Sequence, residues 1–502
     1  MVRVLTVAGL LACLASGCAS GGSSVGKEAA ADEIKKGGFT VAASCHDPQI
    51  IREGDTYYMF GSHMVGAKCQ DLRKWNYFAN GVDAANTLFD NLLTEPYAAF
   101  EFVGKNTDNG YSVWASNVIY NETMKKYVMY FCTTSSYVKS TLCFATADNI
   151  EGPYTYVDTI LYSGYGKSNI SETNLYDVLG KNADISRYLE YGGYNNKEWP
   201  NCIDPAIFTD ADGRMWMNYG SWSGGIFLLE IDPTTGYPIY PVDDKDADPY
   251  YGYRLIGGGH HSAEGPYIQY DAENGYYYLF VSYGDLQSDG GYQIRQFRSE
   301  KPTGPYVDVA GNTLEDQDDH FNYGLKMMGN YTFPSLNYTY MAPGGQSTFQ
   351  DDDGKYYITY HQRFDDGTEY HEPRVHQMYT NEDGWFVAAP FATMGETLSE
   401  KGYKKSDVSG TFYVVNHGTD ISSKIREAEA YTFADGKVTG GEKSGTYEVK
   451  EGTDYITITL DGVVYKGVLM EMTDEAENPV FCFSAAGDNE ETLWGVQYIQ
   501  KE

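Results

Sequence analysis

Residues 204–219 read DPAIFTDADGRMWMNY. An aspartate and a proline come first, a short apolar strand follows, and the turn residues Asp210–Gly213 separate it from an aromatic-rich strand. Turn-forming residues between two apolar or aromatic runs are typical of an antiparallel β-hairpin. The pattern therefore predicts a hairpin whose first strand begins at a carboxylate.

The same plan occurs in five segments of the chain. Each has a polar, aromatic or carboxylate residue, a short strand, a turn and an aromatic-rich strand. The other four segments begin at Asp47, Trp114, Glu264 and Gln346. Self-similar segments along a chain are the signature of a repeat architecture.

A shorter repeat shows that each unit holds more than one hairpin. It ends in Gly-Pro-Tyr at residues 152–154 and again at residues 304–306. Five units of roughly four strands form a β-propeller, in which the first strand of every blade lines the central channel. The sequence therefore predicts an all-β fold with a five-bladed propeller over residues 39–400.

The composition changes in the last hundred residues. Tyrosine and tryptophan become rarer, and alternating segments such as Gly445–Val449 and Tyr455–Leu460 take over. Alternation with period two is typical of half-buried strands. We expect residues 401–502 to form a small C-terminal β barrel or sandwich.

The N-terminus resembles a bacterial lipoprotein signal. Arg3 precedes an apolar stretch, Val4–Ala15, that is too short to span a membrane. The residues LASG then lead to Cys18. Residues 1–18 are therefore interpreted as a signal peptide and residues 19–38 as a flexible tether.

Lipid on Cys18 is the membrane attachment that this interpretation implies. The protein is then exported and anchored in the bacterial cell envelope, on the periplasmic side or at the cell surface. Cys13 is a rival cleavage point, and plain secretion is the alternative.

The charge of the chain restricts its partners. Lys and Arg number 36 against 70 Asp and Glu, which gives a formal net charge of -34. Such a surface repels nucleic acid and anionic lipid, so a neutral glycan is a better match.

Six cysteines follow Cys18, and none of them has CxxC spacing, which argues against a zinc site. Cys132 and Cys143 flank one predicted hairpin. They could form a disulfide in an oxidising compartment or remain free buried thiols.

Asp47, Asp204 and Glu264 open three of the five repeated strands. Asp-Pro alone is a common turn pair. Three carboxylates that converge at one channel, however, raise one another's pKa, and this serves acid–base chemistry rather than stability. Glycoside hydrolysis needs one protonated carboxyl and one ionised carboxylate.

Aromatic residues near the strand starts are candidate sugar platforms. Trp114 opens the second repeat, where a carboxylate is absent, and Trp222 follows the third. Sugar rings pack well on aromatic faces. Most of the 47 tyrosines are expected to form the propeller core instead.

Several motifs together resemble glycoside hydrolase family 43. They are CHDP (45–48), WASNV (114–118), CIDP (202–205), GSWSGG (220–225) and EGPY (264–267). The segments RVHQMY (374–379) and NEDGW (381–385) narrow the resemblance to the endo-α-1,5-L-arabinanases. It extends from about residue 40 to 400 and more weakly into the C-terminal domain.

The resemblance implies an inverting hydrolase that cleaves α-1,5-L-arabinofuranosidic bonds in arabinan. It implies that Asp47 is the general base, Glu264 the general acid and Asp204 the modulator of the acid. Ser221 and Trp114 match positions that contact sugar in the family.

One departure from the family concerns a metal. The family usually has Gly-His-Asn-Ser at the head of the fifth blade, where the histidine helps to hold calcium in the channel. This chain has GGQS at residues 344–347, so Gly345 replaces that histidine. We expect no required cofactor, with calcium in the channel as an open question, and a structural packing role for His361.

Two alternative functions remain open at this stage. The first is an exo-acting α-L-arabinofuranosidase or a β-xylosidase on the same fold. The second is a non-catalytic glycan-binding lipoprotein of the cell surface.

Overall fold

A computed structural model describes residues 25–314, 322–441 and 443–501 of the chain. The signal peptide, Cys18 and the first residues of the tether lie outside the described residues. Within the described ranges almost every regular element is a strand, which confirms the all-β class.

Five antiparallel sheets form the blades of a propeller. The first two blades contain β1 (Gln49–Glu53), β2 (Thr56–Gly61), β3 (Val65–Cys69) and β4 (Asn76–Ala79), then β5 (Ser112–Asn121), β6 (Lys126–Ser136), β7 (Lys139–Ala147) and β8 (Thr155–Tyr162). A small hairpin, β9 (Leu189–Glu190) and β10 (Gly193–Tyr194), precedes the third blade, which contains β11 (Ala206–Thr209), β12 (Met215–Tyr219), β13 (Phe227–Ile231) and β14 (Tyr253–Arg254). The fourth blade contains β15 (Ala263–Asp271), β16 (Tyr276–Tyr283), β17 (Gln293–Ser299) and β18 (Leu325–Met328). After β19 (Tyr331–Thr332), the fifth blade contains β20 (Tyr340–Gln350), β21 (Tyr356–Phe364), β22 (His371–Thr380) and β23 (Phe386–Ala388).

Helical turns occupy the connections between strands. They are the short α-helix α1 (Leu175–Leu179) and the 3-10 helices Ala31–Glu33, Ser62–Met64, Ala98–Phe100, Ile170–Glu172 and Ser186–Tyr188. No helix in the described ranges is long and apolar enough to cross a membrane.

Hydrogen bonds from blade to blade close the ring around the channel. One bond joins each neighbouring pair of inner-strand regions, and together they run Val118 to Gln49, Ile207 to Asn117, Asn218 to Pro266, Gln346 to Gly265 and Ser347 to Pro48. Because four of them use a side-chain amide and one a hydroxyl, these polar side chains satisfy backbone groups that would otherwise be buried without partners.

Each blade has one residue with left-handed backbone geometry at its inner strand, which lies just before the strand in the first and third blades and within it in the other three. These residues are Asp47, Ala115, Asp204, Gly265 and Gly345, with φ from +47° to +57°. In the second, fourth and fifth blades a β-bulge accompanies this residue. Bulges and left-handed residues re-aim side chains and are common at active sites.

The C-terminal part closes into a barrel, which resolves the choice between barrel and sandwich. Its strands are β24 (Gly410–Asn416), β26 (Glu429–Ala434), β27 (Lys437–Gly440), β28 (Lys443–Val449), β29 (Tyr455–Leu460), β30 (Val463–Thr473), β31 (Pro479–Gly487) and β32 (Thr492–Tyr498). The remaining strand, β25 (Arg426–Glu427), pairs in parallel with β19 and so extends the sheet of the fifth blade. Tyr331 and Trp494 pack edge to face at 5.1 Å between the two parts.

The cysteines of the described residues are all free. They are Cys45, Cys69, Cys132, Cys143, Cys202 and Cys482, and each is buried. Of the two alternatives for Cys132 and Cys143, the structure therefore has the free buried thiols.

Candidate active site

Asp47 lies at the channel end where the inner strands begin, and its carboxylate is held by two side chains. Ser62 Oγ donates to Oδ2 at 2.6 Å, and His46 Nδ1 lies 2.7 Å from the same oxygen. Burial alone would raise the pKa of Asp47, but the interaction with His46 and these hydrogen bonds outweigh it, so the pKa is lowered. Its side chain is 23% exposed, so water can reach it.

Asp204 occupies the equivalent position in the third blade, but fewer hydrogen bonds hold its carboxyl group. The backbone N–H of Gly265 donates to Oδ2 at 3.2 Å. Burial and the negative charges of Asp47 and Glu264 raise the pKa of Asp204 well above its ordinary value.

Glu264 precedes the left-handed residue of the fourth blade, and three donors fix its carboxyl group. Ser221 Oγ and Trp222 Nε1 each donate to Oε2 at 2.9 Å, and the Tyr292 hydroxyl donates to Oε1 at 2.8 Å. Burial raises the pKa of Glu264, and Asp47 adds to this, although the three hydrogen bonds act in the opposite direction.

The three predicted carboxylates therefore meet at one channel mouth with different proton affinities. The pKa of Asp47 is lowered, whereas those of Asp204 and Glu264 are raised. Environments that separate carboxyl pKa values in this way assign one group as base and another as acid.

Two adjoining spaces surround these groups. A cleft of about 590 Å³ is lined by Glu264, Trp114, Trp222 and His260 among others. That volume is typical of small-molecule and sugar sites. A narrow channel of about 40 Å³ lies next to it and is lined by Asp47, Asp204 and Gly345.

The structure brings the predicted sugar-contact residues to this cleft. Trp114, Ser221 and Trp222 all line it. Ser221 and Trp222, however, also hold the Glu264 carboxyl group, so each can orient that group as well as contact sugar. Trp222 additionally packs against His260 at 5.4 Å.

Sequence reasoning missed His46, Ser62 and Tyr292. His46 and Ser62 are hydrogen-bond partners of Asp47, and Tyr292 is a partner of Glu264. The motif CHDP contained a signal for His46, since a histidine beside a carboxylate often pairs with it. No feature of the sequence indicated Tyr292, because it is one of 47 tyrosines and contacts Glu264 only across two strands of the fold.

His361 does more than fill the core. A Cβ atom placed on Gly345 would lie 2.3 Å from Asp47 Oδ1 and 2.8 Å from His361 Nδ1. The His361 ring therefore reaches, from the neighbouring strand β21, the space beside Gly345. It stacks on His46 at 4.0 Å between ring centroids.

These residues fit a divalent cation. Ligand atoms of His46, Asp47 and His361 lie within 4.8 Å of one another. His361 Nε2 is buried and has no hydrogen-bond partner among the described residues. A buried polar atom without a partner calls for a ligand or water. The sequence had suggested that this end of the channel lacks a histidine because of Gly345. The structure instead places His361 there, from the neighbouring strand.

Family models match two segments of the chain. Residues 178–386 match the glycosyl hydrolases family 43, and residues 390–495 match a C-terminal lipocalin-like domain.

Characterised proteins match nearly the whole chain. Extracellular endo-α-(1→5)-L-arabinanase 2 of Bacillus subtilis (strain 168) is 38% identical over 467 residues, which cover 90% of this chain and 92% of the relative. The extracellular endo-α-(1→5)-L-arabinanase of Thermotoga petrophila is 36% identical over 91% of this chain and 94% of its own length.

Solved structures agree with this. The crystal structure of a family 43 glycoside hydrolase from Bacillus licheniformis superposes with a TM-score of 0.80 at 36% identity, covering 93% of this chain and 100% of that one. The crystal structure of the endo-1,5-α-L-arabinanase from Thermotoga petrophila gives a TM-score of 0.79 at 35% identity with the same coverage.

Proposed function

The chain belongs to glycosyl hydrolase family 43, and we propose that it is an inverting endo-α-1,5-L-arabinanase. The observation that supports this most directly is the division of three adjacent carboxyl groups into one with a lowered pKa and two with raised pKa values. An inverting hydrolase requires such a division, because one group must accept a proton from water while another donates one.

Asp47 is the general base in this proposal. Its partly exposed carboxylate takes a proton from water as that water attacks the anomeric carbon. The hydrogen bond from Ser62 and the neighbouring His46 keep the carboxylate ionised and hold its direction.

Glu264 is the general acid. It lines the cleft where the glycosidic oxygen would lie, and its raised pKa favours the protonated form that the leaving group needs. Once the proton has left, the donors Ser221, Trp222 and Tyr292 stabilise the resulting carboxylate.

Asp204 modulates the acid. It lines the channel rather than the cleft, so it is poorly placed to protonate the leaving group itself. Because Asp204 and Glu264 repel each other when both are ionised, the pair holds a proton more strongly than an isolated carboxyl group would.

Arabinan is the proposed substrate. The two relatives that match over nine-tenths of this chain are both named as endo-acting arabinanases. Trp114 and Trp222 offer aromatic faces in the cleft for neutral sugar rings. The strongly negative chain matches such an uncharged polymer.

Product analysis tests the proposal and its alternatives. Incubation with linear arabinan should release a mixture of arabino-oligosaccharides from the start, and xylan should remain intact. Arabinose as the sole early product would identify an exo-acting enzyme. Binding without hydrolysis would identify a glycan-binding protein. NMR of the first product should show inversion to the β configuration, and an α product would refute the mechanism.

A divalent cation, where bound, would be held by His361 and His46 beside Asp47. Calcium also accepts water and carboxylate oxygens, which the channel can provide. Bound there, it would supply positive charge that favours the ionised form of the base. His361 Nδ1 lies 3.9 Å from Asp47 Oδ1 and accepts a hydrogen bond from the backbone N–H of Asp47, which leaves Nε2 as the ring nitrogen without a partner among the described residues. Burial lowers the pKa of His361 well below its ordinary value and so favours the neutral form that can bind a cation.

Export fits the extracellular relatives, and a lipid anchor at Cys18 is the finer proposal. The native protein should incorporate labelled palmitate and partition with membranes, whereas Cys18→Ala should not. A native protein that stays soluble and unlabelled would support plain secretion.

A further inference from the structure

A second aromatic pocket lies between the fifth blade and the N-terminal segment. Its volume is about 360 Å³. Tyr340 and Phe364 form its buried floor, with ring centroids 5.5 Å apart. Phe39 of the N-terminal segment closes one side.

Two exposed tyrosines stand at the rim of this pocket. Tyr338 is 57% exposed and lies 6.0 Å from Phe364 between ring centroids, and Tyr370 is 47% exposed. Among the described residues only six large apolar or aromatic side chains are at least 47% exposed, and two of them border this one pocket. Exposed aromatic groups clustered around a concave surface are typical of a binding site.

The polar groups of the pocket suit a neutral ligand. Glu372 is buried and accepts a hydrogen bond from Arg374 Nη1 at 2.9 Å, so the charges of this pair cancel. Asp366 adds an exposed carboxylate to the lining. Carboxylates accept hydrogen bonds from hydroxyl groups, and Arg374, the one cationic side chain of the lining, is paired with Glu372, which favours a neutral ligand over an anionic one.

Packing contacts connect the pocket to the catalytic site. Ser44 Oγ donates to the carbonyl oxygen of His371 at 2.7 Å, and the His371 ring packs edge-on against His46 at 5.2 Å. His46 in turn contacts the proposed base Asp47, and Tyr370 directly precedes His371. The pocket and the base are therefore linked by direct contacts.

The strands of the fifth blade set the separation between the two sites. Tyr340 pairs with Phe364, and both lie beyond the level of Gly345 at the channel mouth. Tyr340 is five residues from Gly345 along β20. At about 3.4 Å per residue a regular strand would span roughly 17 Å, and the β-bulges between Met341 and Ser347 shorten this distance, so a chain of several sugar residues can reach from one site to the other.

We propose that this pocket is a second arabinan-binding site, which holds a distal stretch of the same polymer that occupies the catalytic cleft. The proposal rests on the proposed function, since it takes the same polymer as ligand. Tyr338 and Tyr370 stack on arabinofuranose rings, and Asp366 accepts hydrogen bonds from their hydroxyl groups. Two linked contacts raise the affinity for the polymer but not for short oligosaccharides.

The double variant Tyr338→Ala with Tyr370→Ala tests the site in the full-length chain. Its kcat/KM on arabinotriose should stay within about twofold of the native value. Its affinity for linear arabinan should fall about tenfold, which corresponds to about 1.4 kcal/mol. Affinity is measured by affinity electrophoresis in a Glu264→Gln background, so that the polymer is not consumed.

Two matched variants serve as controls. Tyr120→Ala removes a tyrosine of similar exposure, 41%, near the far end of β5, and should leave polymer affinity unchanged. The double variant Tyr338→Phe with Tyr370→Phe keeps both rings and should retain most of the affinity.

The outcomes separate the second site from the proposed function. Unchanged polymer affinity in the double alanine variant, with the native chain still active on arabinan, overturns the second site alone. An equal loss of activity on arabinotriose and on polymer assigns these tyrosines to the stability of the catalytic site and also overturns it. A native chain that does not hydrolyse arabinan refutes the proposed function instead.

Discussion

Tyr292→Phe removes a single hydroxyl group from the donors that surround Glu264. Tyr292 is 2% exposed, and its hydroxyl donates to Glu264 Oε1 at 2.8 Å. The ring remains stacked near His361 at 5.7 Å, so the variant changes a hydrogen bond rather than the packing.

The magnitude follows from the hydrogen bond. Hydrogen bonds to charged groups contribute about 1.5–3 kcal/mol, and we take the lower end because Glu264 faces an open cleft. One pKa unit corresponds to about 1.4 kcal/mol. The lost donor stabilised the ionised form, so the pKa of Glu264 should rise by about one unit. The rate above the pH optimum should therefore persist to higher pH.

The assay is the pH dependence of kcat/KM on a short arabino-oligosaccharide. The alkaline limb reports the acid of the free enzyme and should move up by about one pH unit, whereas the acidic limb, which we attribute to the proposed base Asp47, should not move. Tyr219→Phe is the control, since its buried hydroxyl donates to the carbonyl oxygen of Tyr251, away from the carboxylates. An alkaline limb that stays in place or moves to lower pH would remove Glu264 from the acid role.

Further expectations concern the other groups at the channel mouth. Glu264→Gln should retain arabinan binding and lose about 10²–10⁴-fold in hydrolysis, as measured by reducing-sugar release; near-normal turnover would contradict the assignment. Asp204→Asn removes a like charge, so the alkaline limb of its pH profile should move to lower pH. Gly345→Ala should fold, as judged by its circular dichroism, but lose most activity, because the added Cβ would lie 2.3 Å from Asp47 Oδ1. EDTA should inhibit the native chain reversibly. The variant His361→Gln should already have a reduced rate, and EDTA should not lower it further. Native activity that resists EDTA would show that no cation acts beside Asp47.

The sequence predicted much of the architecture because hairpin signals are local. The turn between Phe208 and Met215 and the aromatic strand that follows it depend on neighbouring residues, and each of the five repeats carries its own copy. Asp47, Asp204 and Glu264 could be identified for the same reason, since each stands at the start of a repeated strand.

The remaining site residues could not be predicted, because they depend on packing between segments that are distant in the chain. Tyr292 reaches Glu264 across the fourth blade, and His361 reaches Asp47 from the second strand of the fifth blade. Neither the repeats nor the spacing of residues in the sequence indicates such contacts. From the sequence, His361 was therefore expected only to pack in the core, and a metal-binding histidine was expected only at position 345.

The backbone also refines which residues are equivalent between blades. The left-handed positions are occupied by Asp47 and Asp204 in two blades and by Gly265 in the fourth, so Glu264 stands one residue before its supposed counterparts. A glutamate at that earlier position is one methylene longer and lines the cleft, while the two aspartates line the channel. This offset separates the proposed acid from the base even though the fold repeats. Because the carboxylate of the proposed base, Asp47, lies against Gly345, a side chain at position 345 would displace it, and a histidine can approach only from another strand, as His361 does.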